Sequence, residues 1–495
     1  MPWLWGDDVL IALVLLGALP FLVNAYQALL VGLAPWRSHY DRTGPYYPRV
    51  AILIPAWNEG AVLHDTVDRL MALEYPTDRL RLYIVDDAST DDTPAILAEQ
   101  AERYPGSIFH LRRQEGGQGK CHTLNHGLDI IMAEDWMQAI LIMDADVAYR
   151  PDSLRRMTRH LADPTVGAVT AYIREGSTPL SHLTRFIGFE YITAQAAGRR
   201  AQNAIGAVAC LAGGAQLHSR ENLVAIGGRI DTSTLAEDTW TTFLTQVGGR
   251  KVIFEPNAIV LAEEPSSLDG LWKQRARWGR GNAQITKAFK HLWFRPSADH
   301  RLGSVTFGLI WFSIYLLPYI MIVSSAALVI LFFTDRLAAQ HAFHVLWISN
   351  AICFFFSTVV CLLIDRRTAR RSWLQAFFFP GAISLVVILF TCFPLTFHWL
   401  LRHFESLSGV HLSVDERLAV ILFAYIWVSA CMLAAYGLLR LERLGAKRLA
   451  SWLIYVVGYG PVLCAISLNA YVKEFRGAEM KWDKTEKTGR VSVPA

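Results

Sequence analysis

The feature that most constrains this chain is a series of long apolar segments in its second half. After about Gly303 five of them follow one another, at residues 304–333, 344–364, 374–401, 418–439 and 449–471. About 20 apolar residues in a helix cross the hydrocarbon core of a bilayer. An earlier apolar run, at residues 9–33, meets the same requirement. The sequence therefore predicts an N-terminal transmembrane anchor over residues 1–36 and a multi-span helical region over residues 304–473.

Charges beside these segments predict their orientation. Asp7 and Asp8 precede the first run, where a signal peptide carries positive charge, so we expect an uncleaved anchor with its carboxyl end in the cytoplasm. Five further full passes would leave the basic tail, residues 474–495, outside, although its composition is typical of a cytoplasmic tail. We therefore expect one segment to be interfacial or re-entrant. The candidate is 374–401, because it contains Pro380 and Pro394.

Composition excludes several classes of protein. Hydrophobic residues make up 53% of the chain and charged residues 18%, which indicates a membrane part joined to a soluble part. A net charge of +4 is too small to indicate nucleic-acid binding, so no nucleic-acid partner is expected. The seven cysteines show no CxxC spacing, and neither a disulfide framework nor a zinc site is predicted.

Between about residues 49 and 255 short apolar runs alternate with helix-like stretches. The runs are "VAILIP" (50–55), "LRLYIVDD" (80–87), "IFHLRR" (108–113), "AILIMDAD" (139–146) and "VGAVTAYI" (166–173), and the predicted helices cover 60–72, 93–103 and 120–133. This alternation predicts a Rossmann-like α/β domain with a mostly parallel sheet, which we place at residues 37–267 in the cytoplasm. Ligands of such sheets bind beyond the carboxyl ends of the strands.

Acidic pairs follow two of these runs. Asp144 and Asp146 in "MDAD" would face one site if the strand continued through them, and two carboxylates suit Mg²⁺ or Mn²⁺ with a nucleotide diphosphate. A solvated loop after the strand explains the pair equally simply. Asp86 and Asp87 in "VDDAST" could accept hydrogen bonds from a base or ribose, while Asp91 or Asp92 would cap the next helix.

Three further stretches combine polar groups with an ordinary structural explanation. Asn58 and Glu59 in "PAWNEG" are common turn residues. Lys120 stands where a Gly-rich turn enters a helix, a place that suits an anion, although an exposed turn explains it as well. Glu237 and Asp238 in "LAEDTW" either complement a helix dipole or supply a carboxylate that removes a proton from a hydroxyl.

The stretch "WKQRARWGRGN" (272–282) combines cations with aromatic residues. In it Gln274, Arg277 and Trp278 share one helical face, where Arg would neutralise a diphosphate and Trp would stack on a sugar or base. Lys273, Arg275 and Arg280 are explained as the cytoplasmic flank of a membrane helix. We expect interfacial amphipathic helices over residues 268–303.

Together these motifs resemble family 2 glycosyltransferases, in particular the membrane-embedded synthases with a D, DxD, (T/E)ED, QxxRW pattern. That group includes cellulose, chitin, hyaluronan and poly-N-acetylglucosamine synthases. The resemblance covers about residues 48–283, and "VIFEPNAIVLAEEPSSLDGLWKQRARWGRGN" looks most like the poly-N-acetylglucosamine branch. "LAEDT" stands where many relatives have "TED", and "LAGGA" (211–215) where many have a Ser-Gly pair.

The resemblance implies a GT-A fold, a UDP-sugar donor, a Mg²⁺ or Mn²⁺ ion and inversion at the anomeric carbon. It implies the following roles: Asp87 contacts uracil, with Asp86, Asn58 and Glu59 in the nucleotide pocket; Lys120 neighbours the nucleotide; Asp144 and Asp146 hold ribose and metal; Asp238, with Glu237, is the catalytic base; Gln274, Arg277 and Trp278 bind diphosphate and the acceptor end. Each of these roles is an expectation.

The resulting hypothesis is an inverting, processive hexosyltransferase that elongates a β-linked polysaccharide, with UDP-N-acetylglucosamine as the expected donor. The alternatives are a single-sugar transferase to a lipid or glycan acceptor and a hyaluronan-like copolymer synthase. A transporter or scaffold would leave "AEDT" and "QRARW" without a task. We expect an integral protein of a bacterial-type inner membrane whose partners are the donor, a growing glycan or lipid acceptor, the bilayer and an accessory subunit.

Overall fold

A computed structural model describes residues 4–396, 399, 402, 403, 406, 413–480 and 491 of the chain. It contains two compact units. The helical unit comprises Met1–Ala28, Ser267–Gly279 and Leu309–Gly477, and the sheet unit comprises Leu29–Ser266, Arg280–Gly308 and Ala478–Ala495. Most of the tail on which the cytoplasmic prediction rests, residues 481–490, lies outside the described residues.

The sheet unit is built on eight strands that form one sheet. They are β1 Val50–Ala56, β2 Leu80–Asp86, β3 Ile108–Arg112, β4 Ala139–Ile142, β5 Val147–Tyr149, β6 Val166–Glu175, β7 Gln216–Ser219 and β8 Lys251–Ala262. Their order is β3-β2-β1-β4-β7-β6-β8-β5. Strands β1 to β4 pair in parallel, as do β6 and β8, whereas β7 and β5 pair antiparallel to their neighbours.

The helices, numbered along the chain, are shared between the two units. They are α1 Leu4–Leu15, α2 Leu19–Val31, α3 Gly60–Met71, α4 Thr93–Arg103, α5 Lys120–Ala133, α6 Ser153–Thr158, α7 His182–Tyr191, α8 Gly198–Ile205, α9 Arg220–Ala225, α10 Glu237–Val247, α11 Leu268–Ala288, α12 Val305–Tyr315, α13 Leu317–Thr334, α14 Arg336–Ile364, α15 Arg366–Phe377, α16 Ala382–Cys392, α17 Val414–Arg443, α18 Lys447–Val457 and α19 Tyr459–Phe475.

The parallel half of the sheet forms as the sequence predicts. Strands β1 and β4 are apolar along their whole length, as expected for strands that helices cover on both faces. Leu53, Ile140 and Ile142 are fully buried and pack with Leu124 and Leu128 of α5 in one core cluster. Burial of each such side chain contributes about 1.5–3 kcal/mol. The predicted helices at 60–72, 93–103 and 120–133 correspond to α3, α4 and α5 to within one residue.

The sheet is mixed rather than mostly parallel, and two details of the prediction change. The strand predicted at 139–146 ends at Ile142, and its last residues turn into β5. Strands β5, β7 and β8 were not among the predicted runs: β5 and β7 are only three and four residues long, and β8 extends beyond the end of the predicted alternation. These strands close the sheet beyond β4 and lead the chain to the helices that carry the remaining motifs.

Among the residues that the structure describes, four helical segments are long and apolar enough to cross a membrane. They are Gly6–Val31, Leu317–Thr334, Arg336–Ile364 and Glu416–Arg443. The segment predicted at 304–333 is divided near Leu316, just before Pro318. Helices α1 and α13 approach closely: Ser324 donates a hydrogen bond to the carbonyl of Val14 (3.0 Å), and a methyl group at Gly17 would lie 2.7 Å from that hydroxyl oxygen.

The other two apolar segments are bent pairs of helices. Helices α15 and α16 meet at 72°, inside the segment singled out for its prolines, and α18 and α19 meet at 101°, which was not predicted. The two bends contact each other. Gly381 and Gly458 have φ values of +89° and +102°, and a methyl group on either would lie 2.5 Å from the other bend's backbone. The N–H of Gly460 donates to the carbonyl of Phe379 (3.0 Å).

Candidate active site

Two turns at the carboxyl ends of β1 and β2 are joined by polar side chains. The side-chain amide oxygen (Oδ1) of Asn58 accepts a hydrogen bond from the N–H of Thr90 (2.8 Å). The Asp91 carboxylate accepts from the N–H of Gly60 (3.1 Å) and of Thr93 (3.0 Å), which are the first residues of α3 and α4. One carboxylate therefore satisfies a free donor at two helix ends. The predicted helix cap is thus at Asp91, and Asn58 has a structural task beside its proposed one.

Glu59 belongs to the same region. Its N–H donates to the Thr93 hydroxyl (2.9 Å). Glu59 follows the end of β1 and is partly exposed to solvent. The structure leaves its role in the nucleotide pocket a prediction.

Asp86 and Asp87 differ in their surroundings, although both are buried. Oδ1 of Asp86 accepts from the N–H of Ser89 (2.8 Å) and so holds its own turn. Asp87 instead contacts the Gly-rich loop: its carboxylate pairs with the Arg113 guanidinium and accepts from the N–H of Gly117 (3.0 Å). Arg113, at the end of β3, was not among the predicted site residues. A basic residue at the carboxyl end of a strand is the signal that would have indicated it.

Lys120, the first residue of α5, joins two of the predicted motifs. Its ammonium nitrogen lies 2.6 Å from Oδ1 of Asp144 and 3.3 Å from Oε1 of Glu237. Burial by itself lowers the pKa of this ammonium, but the carboxylates of Asp144 and Glu237 outweigh burial and hold the pKa above its ordinary value. Lys120 is therefore a permanent cation between "MDAD" and "LAEDTW".

A small space above Gly213 is surrounded by these groups. A Cβ at this glycine would lie 3.4 Å from Nζ of Lys120, 3.5 Å from Oδ2 of Asp238 and 3.7 Å from Oδ2 of Asp144. The absence of a side chain at Gly213 thus leaves room where a cation and two carboxylates converge. The sequence alone showed only that "LAGGA" lacks the serine common in similar proteins.

The backbone that carries Gly213 is fixed by side chains of two neighbouring elements. The N–H of Leu211 donates to the Thr242 hydroxyl of α10 (2.8 Å), and the N–H of Ala212 donates to the Thr170 hydroxyl of β6 (3.0 Å). Both hydroxyls are buried, so the segment before β7 is positioned by internal hydrogen bonds rather than by regular structure.

Asp238 is a carboxylate whose pKa is raised by its surroundings. It lies in the first turn of α10, where its Oδ1 accepts from the N–H of Thr239 (2.7 Å). Burial first, and then the charge of Glu237, raise its pKa to about 6, against the opposing effect of Lys120. A carboxylate with such a pKa is ionised at neutral pH and remains a useful proton acceptor. The structural explanation offered for the acidic pair applies, because Asp238 accepts from an N–H group in the first turn of α10, and its role as a base stays a prediction.

Asp144 and Asp146 lie in the turn between β4 and β5. Their exposure is therefore not explained by the predicted alternation of side chains along a strand. Ala145 is buried, and its carbonyl accepts from the Thr66 hydroxyl (2.7 Å), while both acids remain partly exposed. Within the described residues no group of three or more His, Cys, Asp or Glu side chains forms a metal site. Two carboxylates still fit Mg²⁺ or Mn²⁺, since Mg²⁺ is commonly held by one or two carboxylates with substrate phosphates.

Gln274, Arg277 and Trp278, which we call the QxxRW face, lie on α11 in the part that belongs to the helical unit. Arg275 links two of them: its guanidinium donates to the Gln274 side chain and lies 4.0 Å from the ring centroid of Trp278. The other side of this helix docks within the unit. Trp272 donates to the Asn469 side chain (3.3 Å).

The three cations assigned to a cytoplasmic flank, which stays a prediction, differ in exposure: Lys273 is exposed, whereas Arg275 and Arg280 are buried. Lys273 is exposed and pairs with Asp269 (2.9 Å). Arg275 is buried beside Trp278. Arg280, which begins the part of α11 in the sheet unit, is also buried, and its guanidinium donates to the carbonyls of Ala478 (2.6 Å) and Glu479 (3.0 Å). Cations near apolar segments are ordinarily explained by membrane topology, so the burial of Arg275 and Arg280 could not be predicted from the sequence.

Similarity to solved structures defines the class of fold. The mannosyltransferase PcManGT from Pyrobaculum calidifontis, solved in complex with GDP-Man and Mn²⁺, superposes with a TM-score of 0.50 at 23% identity, covering 72% of this chain and 99% of that one. The fold is the GT-A fold of glycosyltransferases, as the resemblance implied. Residues 48–281 match the family described as "Glycosyltransferase like family 2".

Curated relatives agree with that match. A probable glycosyltransferase, YdaM, of Bacillus subtilis is 28% identical over 68% of this chain and 78% of its own length. The beta-monoglucosyldiacylglycerol synthase of a Synechocystis strain is 32% identical over 57% of each chain. The poly-beta-1,6-N-acetyl-D-glucosamine synthase of Staphylococcus epidermidis is 24% identical over 69% of this chain and 82% of its own. Residues 48–281 thus match a glycosyltransferase family 2 domain, and this match together with the named relatives supports a hexosyltransferase.

Proposed function

We propose that the protein transfers N-acetylglucosamine from UDP-N-acetylglucosamine to the growing end of a β-linked polysaccharide, with inversion at the anomeric carbon. The observation that carries this proposal is the convergence of Asp238, Lys120 and Asp144 around the space above Gly213. A base, a cation and a metal-binding carboxylate are the groups that an inverting sugar transfer requires.

The chemical step is a single displacement. Asp238 accepts the proton of the acceptor hydroxyl while the oxygen of that hydroxyl forms a bond to the anomeric carbon. The bond between the anomeric carbon and the diphosphate oxygen breaks, and the electron pair leaves with UDP. Attack from the side opposite the leaving group inverts the configuration. The raised pKa of Asp238 suits it for this proton transfer.

Charge on the departing UDP is stabilised by groups of this chain. Lys120 is held as a cation between Asp144 and Glu237 and would attract the diphosphate. By the resemblance, Arg277 of the QxxRW face would bind diphosphate, and Trp278 would stack on the acceptor sugar. When bound by Asp144 and Asp146, a Mg²⁺ or Mn²⁺ ion would supply a Lewis acid for the diphosphate oxygens.

The nucleotide would occupy the ends of β1, β2 and β3. Asp87 is the proposed partner for the uracil, as the resemblance implies, and its carboxylate accepts the N–H of Gly117 in the Gly-rich loop. Asp86, Asn58 and Glu59 would keep the two adjoining turns in place. We propose the predicted division into anchor, GT-A domain, interfacial helices, membrane region and tail as the organisation of the protein. The GT-A domain would lie on the cytoplasmic side of the inner membrane.

A second function is favoured by one comparison. The relative with 32% identity is named for the synthesis of a monoglucosyl lipid, and its identity exceeds that of the polysaccharide synthases. The same site would then add one glucose to a diacylglycerol acceptor. A hyaluronan-like copolymerase has no such support. An accessory subunit stays a prediction.

The test is incubation of membranes containing the protein with radiolabelled UDP-N-acetylglucosamine or UDP-glucose and Mn²⁺. Asp238→Asn is the matched control, because it removes the base and nearly preserves shape. A long product that stays in the aqueous phase and is absent with Asp238→Asn supports the polysaccharide synthase. A solvent-extractable product with one sugar supports the lipid transferase. Turnover that Asp238→Asn retains would remove Asp238 from its role, and chelation by EDTA should stop both reactions.

A further inference from the structure

The helix that carries the QxxRW face is capped by a residue of a distant helix in the same unit. Glu442 lies near the end of α17 and is almost fully buried. Its Oε2 accepts a hydrogen bond from the N–H of Leu268 (3.0 Å) and its Oε1 accepts from the N–H of Asp269 (2.9 Å). These are the first two residues of α11. One carboxylate thus meets two donors at the start of that helix.

This contact is strong for an ordinary physical reason. The first N–H groups of a helix have no partner inside the helix, and they carry its positive dipole end. The Ser267 hydroxyl takes a third donor, the N–H of Gly270 (3.1 Å). A buried carboxylate that satisfies two more forms charge-assisted hydrogen bonds, which are shorter and stronger than neutral ones. The start of α11 is therefore fixed in position and direction by Glu442.

The carboxylate beside Glu442, which is that of Asp269, is paired with two cations. Asp269 adds a second carboxylate at the same helix end, and it is paired with Lys273 (2.9 Å) and with Arg443 (2.7 Å). The hydrogen bond from Lys273, opposed by burial and aided by Arg443, lowers the pKa of Asp269. Arg443 is more than half exposed, so its ion pair contributes little. Glu442 has no comparable exposure to water.

One side of the same stretch of α11 packs against other helices of the unit. Trp272 contacts the ring of Tyr436 (centroids 4.9 Å apart), and a methyl group at Gly279 would lie 2.8 Å from Cβ of Ala470. With 3.6 residues per turn, Trp272 and Gly279 share one side of the helix, and the QxxRW face is centred on the opposite side. The direction in which the QxxRW face points therefore depends on how the start of the helix is seated.

We propose that Glu442 is a positioning residue of the transferase, which orients the QxxRW face by capping α11. This role rests on the proposed function, in which that face binds diphosphate and acceptor. Glu442 does not touch substrate. It sets the direction of a helix, and small displacements of positioned groups lower the rate of the chemical step more than the binding of the nucleotide.

The test compares Glu442→Gln with Arg443→Met in purified full-length protein. Gln has nearly the shape of Glu, but its amide nitrogen would face one of the two N–H donors, whereas Arg443→Met removes the neighbouring exposed ion pair and leaves the cap intact. We expect Glu442→Gln to lower kcat by between about tenfold and a hundredfold, with KM for the donor within about twofold of the wild type. Hydrogen exchange at the amides of Leu268 and Asp269 should accelerate. Arg443→Met should match the wild type in all three.

The outcomes separate this role from the proposed function. If the wild type turns over and Glu442→Gln equals Arg443→Met in kcat, the positioning role is overturned while the function stands. If the wild type has no transferase activity, the function and this role fail together. Should Glu442→Gln not fold, Glu442→Asp keeps the charge and withdraws it by one methylene. It should give a smaller loss of kcat at unchanged KM, and an unaltered kcat would overturn the role.

Discussion

The ammonium nitrogen of Lys120 lies 2.6 Å from Oδ1 of Asp144. Lys120, the first residue of α5, therefore neutralises one carboxylate of the motif proposed to bind metal. Its second partner, Glu237, is buried. We expect Lys120→Met to lower kcat by about 10²–10³-fold, because a cation near the leaving diphosphate is lost. It should also destabilise the protein, since Glu237 is left buried and unpaired. Lys120→Met combined with Glu237→Gln should recover thermal stability without recovering kcat. Recovery of both would make Lys120 purely structural.

The activity should fall at acidic pH with a midpoint near the raised pKa of Asp238, which is about 6. Only the ionised carboxylate accepts a proton, so kcat/KM rises as pH increases through this value and is lost below it. Because the charge of Lys120 lowers the pKa of Asp238, the residual activity of Lys120→Met should show its midpoint at higher pH. The measurement is a profile of kcat/KM between pH 5 and 8, and a flat profile contradicts the assignment of Asp238 as base.

Substitution by alanine should have different effects at the two adjacent glycines of "LAGGA": a loss of turnover at Gly213 and a loss of stability at Gly214. Gly213→Ala places a methyl group at ordinary contact distance from Lys120 and Asp238, so we expect normal thermal unfolding and a large loss of turnover. Gly214→Ala places its methyl group 2.9 Å from Cγ1 of Val147, and such overpacking costs about 1–3 kcal/mol. Full activity of a folded Gly213→Ala variant would show that substrate does not enter this space.

Arg277→Ala and Arg280→Ala should separate catalysis from architecture. Arg277 belongs to the QxxRW face, and its loss should reduce turnover by about 10²-fold or more. Arg280 holds the backbone at Ala478 and Glu479, so its loss should increase proteolysis after these residues and lower the unfolding temperature. Turnover per folded molecule should change little. If both variants lose turnover equally at equal stability, this division of roles is wrong.

Asp91→Ala should destabilise the sheet unit without touching the chemistry. It removes an acceptor for the N–H groups that begin α3 and α4, and loss of a helix cap costs about 1 kcal/mol. Two ends are affected, so the expected loss is about 2 kcal/mol. Asp92→Ala is the matched control, because its side chain makes no cap hydrogen bond and should cost less. Chemical denaturation measures both, and equal losses would contradict the double cap.

Elements that depend on residues close together in the sequence could be predicted, whereas elements that depend on partners distant in the sequence could not. Local patterns sufficed for β1, β2 and β3 and for helices α3, α4 and α5, because strand and helix periodicities are visible within a single segment. The short strands β5 and β7 are stabilised by pairing with distant partners, and their sequences carry too few residues to show a period. The family and the fold were predicted from motifs in order, each of which would have been weak by itself.

The candidate site divides in the same way. The sequence indicated Asp144, Lys120 and Asp238 from their places at strand and helix ends. It could not indicate that Lys120 joins the other two, nor that Gly213 leaves the space between them, because these relations exist only after the chain has folded. The cap formed by Glu442 on α11 escaped for the same reason, since the two partners are separated by more than 170 residues.

The contact of Arg280 with Ala478 and Glu479 limits how the chain threads the bilayer. Residues 280–308 and the residues after Gly477 belong to the same unit, so a chain that leaves this unit and returns to it crosses a membrane an even number of times. Among the described helices three later ones are long enough for single crossings. If these three cross and no segment other than the bent pairs does, only one of the two bent pairs completes a passage, and the other returns to the side from which it entered. The touching bends at Gly381 and Gly458 would then have different positions relative to the bilayer.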